Sequence, residues 1–101
     1  MARAIWTTPA LRQLADLRRF IARDSRSATD RLALRLVQAT RRLDQFPRSG
    51  RIVPEFSRDA IRELIVPPYR IIYRIDVDAV RIVAVRHSAQ RLGDIPGLEQ
   101  Q

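Results

Sequence analysis

The spacing of apolar residues changes partway along the chain, and this change constrains the fold more than any other feature. Up to Phe46 apolar residues recur every three or four positions; from Ile61 they alternate with polar ones. The first period belongs to amphipathic helices and the second to half-buried strands. A chain of 101 residues with both periods in succession has room for one α+β domain around one modest core. Neither half can bury its apolar face alone, so the helices must cover the strands.

Local signals divide the two halves into elements. Arg3 to Thr7 is β-prone and reads as a first strand. Thr8 is a suitable N-cap and Pro9 a suitable first helical residue. Ala10, Leu14, Leu17 and Ile21 then mark a helix to about Arg23. Ser27, with Asp30 three residues on, resembles a capping box and opens a second helix with Leu32, Leu36, Ala39, Leu43 and Phe46 as its stripe. The short Asp24-Ser25-Arg26 connection makes the two helices an antiparallel hairpin. Pro47 ends it, and the chain runs irregularly to about Ala60. Strands follow at Ile61–Val66, Tyr69–Ile75 and Val80–Arg86, separated by Pro67-Pro68 and by Asp76 to Ala79. Tight connections make these three an antiparallel meander. The expected order is β-α-α-β-β-β over residues 1–101 as a single domain. From about Arg91, Gly93, Pro96 and Gly97 give a loop-like tail whose Leu92, Ile95 and Leu98 either dock on the body or await a partner.

Composition limits the chemistry. There is no cysteine, which removes disulfides and thiolate metal sites. A single histidine and no cysteine provide no metal-ligand cluster, and no Gly-rich phosphate loop or G-x-S-x-G elbow occurs. Neither a metal nor a cofactor is expected. No apolar run approaches the roughly 20 residues of a membrane helix, and the first residues lack a signal-peptide pattern. A cytoplasmic protein is the default expectation. The net charge is +8, from 19 basic and 11 acidic residues, and every basic residue is an arginine. Arginine stays protonated at neutral pH, so lysine general-base chemistry is excluded, while guanidinium forks suit carboxylates and phosphates. An acidic partner, protein or nucleic acid, fits this surplus.

Several stretches in order carry a family resemblance. They are Asp16-Leu17, Leu43-Asp44-Gln45-Phe46-Pro47-Arg48-Ser49-Gly50-Arg51, Arg62-Glu63-Leu64, Tyr69-Arg70-Ile71-Ile72-Tyr73-Arg74 and Val85-Arg86-His87. Together they resemble the RelE/ParE toxin superfamily, and its ParE branch most, over residues 3 to about 91. The resemblance implies two N-terminal helices packed on a small antiparallel sheet. It also implies the toxin half of a toxin–antitoxin pair, bound as a hetero-oligomer by a flexible acidic antitoxin. The ParE branch poisons DNA gyrase without bond-breaking chemistry of its own. The RelE branch cleaves messenger RNA in the ribosomal A site.

Individual residues separate these branches. In-line RNA cleavage needs a base, a cationic site for the phosphorane and an acid. Arginines supply only the second. The ribonuclease branch is lysine-rich or pairs a glutamate with a histidine, and it commonly has a tyrosine near its C-terminus. Here there is no lysine, and no tyrosine follows His87. If the chain is an endonuclease, Glu63, His87 and Arg62 are its catalytic candidates, with Glu55 a further carboxylate; a structural role for His87 is favoured. Arg62 and Glu63 are neighbours on a strand and face opposite ways. Glu63 therefore suits an ion pair across the sheet with Arg70 or Arg74. Tyr69 and Tyr73 share a core-directed parity. Arg70 and Arg74, about 13 Å apart along the strand on the other parity, suggest an open face able to hold a phosphate or a carboxylate. Gly50 suits a turn at positive φ. Arg51, Arg62, Arg70, Arg74 and Arg86 are the candidate partner-binding residues.

Overall fold

The computed structural model describes residues 3–98. Its elements are β1 (Arg3–Trp6), α1 (Thr8–Ala22), α2 (Arg26–Arg41), β2 (Arg51–Ile52), β3 (Ile61–Val66), β4 (Tyr69–Ile75) and β5 (Ala79–His87), with 3-10 turns at Arg42–Asp44 and Pro47–Ser49. The helical hairpin packs on a five-stranded sheet of order β1-β5-β4-β3-β2. The meander β3-β4-β5 is antiparallel as expected. The sheet as a whole is mixed, because β1 lies parallel to β5, with Arg3 beside Ala79 and Trp6 beside Ile82. The α-hairpin lies between β1 and the rest of the sheet in sequence, and that long connection permits parallel pairing. The two-residue strand β2, within a stretch expected to be irregular, pairs Arg51 with Glu63 and Ile52 with Arg62.

Both helices begin earlier than their sequence signals suggest. Thr7, rather than Thr8, caps α1: its hydroxyl accepts from the Ala10 N–H and donates to the Ile82 carbonyl, which also accepts from the Thr7 N–H. The cap therefore fastens the helix start to β5. Pro9 lies in the first turn, where no N–H is needed. Ser25 caps α2 in place of Ser27, accepting from the Ala28 N–H at 3.2 Å. At its other end the stripe falls short: Phe46 stands 61% exposed. The residue before a proline is pushed out of the helical region, and Phe46 has φ −127°, ψ 71°.

Strand parity sorts the core into two layers. Ala10, Leu36 and Leu43 pack against Leu64, Val66, Ile71, Tyr73, Val80, Ile82 and Val85 beneath the helices. Tyr69 and Ile75 border this layer, so the β4 face expected to be buried is the buried one. The opposite sheet face is also covered. Leu92, Ile95 and Leu98 of the tail, with Val53 and Phe56, lie on Ile61, Ile72, Val83 and Ala84. A β-bulge assists: opposite Ile72 and Tyr73 the partner residues are Ala84 and Ile82, leaving Val83 as the extra residue. Val83 and Ala84 consequently both join the second layer. The tail docks on the body, and the expected open face is closed over much of its area.

The free side of β1 is capped where Asp44 Oδ1 accepts from the Ala4 N–H at 2.7 Å, which blunts a sheet edge. At the other end, Tyr73 reaches through the core to the Pro47–Gly50 turn. Its hydroxyl donates to the Pro47 carbonyl and accepts from the Gly50 N–H at 2.9 Å. Burial raises the Tyr73 pKa above its ordinary value. Gly50 is not in the left-handed region, since its φ is −78°. Its lack of a side chain serves a close approach: a Cβ there would lie 2.5 Å from the Glu63 carbonyl oxygen and 2.6 Å from the Tyr73 hydroxyl. Both contacts are with buried, hydrogen-bonded groups. Gly50→Ala is therefore expected to destabilise the fold by about 1–3 kcal/mol, read as a lower urea midpoint with an unchanged m-value.

Candidate partner-binding site

Four charged side chains meet where β2, β3 and β4 run side by side. The Glu63 side chain is fully buried, and its two oxygens are divided between two guanidinium groups: Oε2 accepts from Arg51 Nε and Oε1 from Arg70 Nε, both at 2.5 Å. Arg51 stands directly opposite Glu63 in register, and Arg70 lies on the diagonal. Arg70 is 6% exposed. Its remaining donors form a fork on Glu55, with both bonds at 2.9 Å. Bidentate, charge-assisted bonds of this kind are the stronger ones. They hold Arg70 above its usual pKa, the Glu55 bond having the largest influence, and they hold Glu55 below its own. The buried pair is Arg70 with Glu63, and breaking such a pair from one side costs about 3–5 kcal/mol.

The five arginines singled out from the sequence occupy different situations. Arg70 and Arg74 share a face but do not form an open pair. Arg70 serves Glu63 and Glu55, while Arg74 binds Asp76 and donates to the Gly97 carbonyl of the tail. The tail lies over this face because its apolar residues match the apolar neighbours of the two arginines. Arg62, on the helix side, clamps the turn: it donates to the Asp59 carboxylate and carbonyl and to the Arg48 and Gly50 carbonyls. Arg51 remains largely exposed beyond its bond to Glu63. Arg86 is half-buried beside Arg70 in register.

Glu63 and His87 are not brought together. Glu63 projects on the tail side of the sheet toward Arg51 and Arg70. His87 is paired in register with Tyr69 and meets its ring edge-on, with centroids 5.7 Å apart, on the side of α1. The His87 Nδ1 accepts from the Ala89 N–H. The base–acid pair considered from the sequence therefore has the sheet between its members. Among the described residues no group of three or more His, Asp or Glu side chains is placed to hold a metal ion.

One feature escaped the sequence reading. A groove of about 600 Å³ separates the C-terminal part of α1 from the ends of β4 and β5, and Leu17, Phe20, Tyr69, Val85 and His87 line it. Phe20 is 67% exposed. Its position off the main helical stripe was the available signal.

Comparison with known proteins places this architecture. Residues 4–92 match the model of the ParE toxin of the type II toxin–antitoxin system parDE. The chain belongs to the ParE toxin family. A relative in this family, Toxin RelE2 of Caulobacter vibrioides, is 38% identical over 90 residues, covering 89% of this chain and 99% of the relative. A solved structure from the chromosomal ParDE toxin–antitoxin system of P. aeruginosa has the same fold. It superposes with a TM-score of 0.72 at 17% identity, covering 86% of this chain and 96% of that one. As a ParE-family fold, the chain has its two helices on one face of the sheet and a tail, 92–98, on the other. No helix among the described residues is long and apolar enough to cross a membrane.

The charge cluster sets an acid limit on stability. The Glu55 pKa is lowered from 4.5 mainly by its bond from Arg70. A depressed folded-state pKa gives stability that is present above 4.5 and lost as pH falls through the lower folded value. The denaturant midpoint is expected to decline as pH drops below 4.5, and the decline should be shallower in Glu55→Gln, measured by urea titration at each pH.

Proposed function

We propose that this ParE-family chain acts in the cytoplasm, is held inactive by an acidic antitoxin and inhibits DNA gyrase when free. The separation of Glu63 from His87 carries this reading. Glu63 is fully buried between two guanidinium groups, and His87 lies across the sheet. General acid–base cleavage needs both groups within reach of one scissile bond. A toxin that acts by binding has no such requirement. Family membership over residues 4–92 points the same way. The surplus of eight positive charges favours an acidic partner and fast encounter with it. A supercoiling assay with purified toxin tests the target. Inhibition at micromolar toxin, relieved by the antitoxin, is expected; undiminished supercoiling overturns gyrase as the target.

A second reading rests on the relative named Toxin RelE2. In that case the ribosome and messenger RNA are the partners, with Arg51, Arg62 and Arg86 contributing positive charge. Primer extension on translated messages separates the two readings. No codon-aligned cuts are expected; their appearance with purified toxin establishes the endonuclease, and cuts that survive in His87→Ala remove His87 from it.

A further inference from the structure

Carboxylates are distributed unevenly over this fold. On the sheet side Arg48, Arg51, Arg62, Arg70, Arg74 and Arg81 are each paired with one. Helix α2 and the 3-10 turn after it carry Arg26, Arg31, Arg35, Arg41 and Arg42, and two aspartates. Neither aspartate serves these arginines. Asp30 pairs with Arg18 of α1, and Asp44 accepts from the Ala4 N–H of β1. All five arginines are exposed. Among the described residues none of the five is in an ion pair.

Three of them form one stripe. Arg31 and Arg35 are one turn apart, and Arg42 follows two turns later with helical φ −63° and ψ −19°. All three therefore project to one side of the helix, away from buried Leu36 and Thr40. The stripe runs about 16 Å along the axis. Like charges four residues apart lower helix stability, and no carboxylate offsets the Arg31–Arg35 pair as carboxylates do on the sheet side. The positive potential of α2 is directed outward.

What the stripe lacks narrows its partner. No aromatic residue occurs between Arg26 and Arg42, and Leu34 is the one large apolar side chain exposed there. A protein partner needs a desolvated apolar or aromatic centre. Single-stranded nucleic acid needs aromatic platforms for its bases, and a lipid surface needs an apolar face to insert. The phosphates of a duplex need only donors on a rigid element, and guanidinium forks fit them. Contacts to the 2′-hydroxyl, which single out RNA, are not required of donors aimed at phosphates.

We propose that the outer stripe of α2 binds the phosphate backbone of duplex DNA without reading its sequence. Arg31, Arg35 and Arg42 each take a phosphate, and Arg41 adds positive potential from the flank. This holds whichever target the free toxin has.

Fluorescence anisotropy of a short labelled DNA duplex of arbitrary sequence, titrated with toxin across about 50–200 mM salt, tests it. The logarithm of affinity is expected to fall linearly with that of salt. Arg31→Gln/Arg35→Gln/Arg42→Gln should make the slope shallower by about 3 and weaken binding about tenfold or more at the low-salt end. Arg3→Gln/Arg58→Gln/Arg91→Gln removes three exposed arginines off the helical hairpin and should keep the wild-type slope. Thermal melts of the stripe variant are expected to match or exceed wild type, because the Arg31–Arg35 repulsion is gone. Where the triple variant does not fold, Arg31→Gln alone carries the result, with a slope shallower by about 1. Equal slopes for wild type and the stripe variant overturn the proposal. An equal loss in the two triple variants also overturns it, by assigning binding to net charge alone. Tighter binding of a single strand, or of an RNA duplex of the same sequence, overturns duplex DNA as the partner. No binding by wild-type toxin at the low-salt end overturns the site and leaves the supercoiling test of the target standing.

Discussion

Glu63 places a carboxylate with no accessible side-chain surface inside a β-strand, and its surroundings are arranged around that charge. Isolated, an ionised carboxylate at such a site is strongly unfavourable. Arg51 and Arg70 each take one of its oxygens, and Glu55 occupies the remaining donors of Arg70. These contacts tie β2, β3 and β4 to the loop carrying Glu55. They fix the position of β2, which has only two residues, both of them exposed. The Pro47–Gly50 turn is held from the other side of the sheet by Tyr73 and Arg62. Gly50 lies between the two sets of contacts, against the Glu63 backbone and the Tyr73 hydroxyl.

Charge pairing also changes the meaning of the large arginine surplus. The arginines near the sheet are mostly internal counter-ions, and their positive charge is balanced locally. The exposed arginines of α1 and α2 carry much of the net charge seen by an approaching partner. Arg86 differs from both groups, being partly withdrawn from water yet unbalanced by any described carboxylate. Composition alone cannot separate these three situations. They depend on which acidic side chains the fold brings within bonding distance.

Much of the architecture was readable from periodicity. Alternation placed Ile71 and Tyr73 beneath the helices, and the opposite facing of Arg62 and Glu63 follows from the two-residue strand period. Cross-strand pairing left Arg70 and Arg74 both open as partners of Glu63, and the fold gives it Arg70 while Arg74 binds Asp76. Other features depend on contacts distant in sequence. The choice of Thr7 over Thr8 as a cap depends on the Ile82 carbonyl, 75 positions away. The reason for Gly50 is the approach of Tyr73, not a turn angle. The tail's apolar residues stand among Gly93, Pro96 and Gly97, which favour neither helix nor strand, so their docking could be named only as one of two outcomes. The groove was missed because an exposed phenylalanine looks the same in sequence whether it is solvated or walls a cleft.

The parallel partnership of β1 and β5 also governs how the protein is made. Residues 3–6 are synthesised well before residues 79–82, their hydrogen-bonding neighbours. Strand β1 must wait, unpaired along its inner side, until residues 79–82 have left the ribosome exit tunnel. Contacts of such large sequence separation close slowly, because a long loop must be ordered before they form. A nascent chain of this protein therefore has no complete sheet until residues 79–82 have emerged.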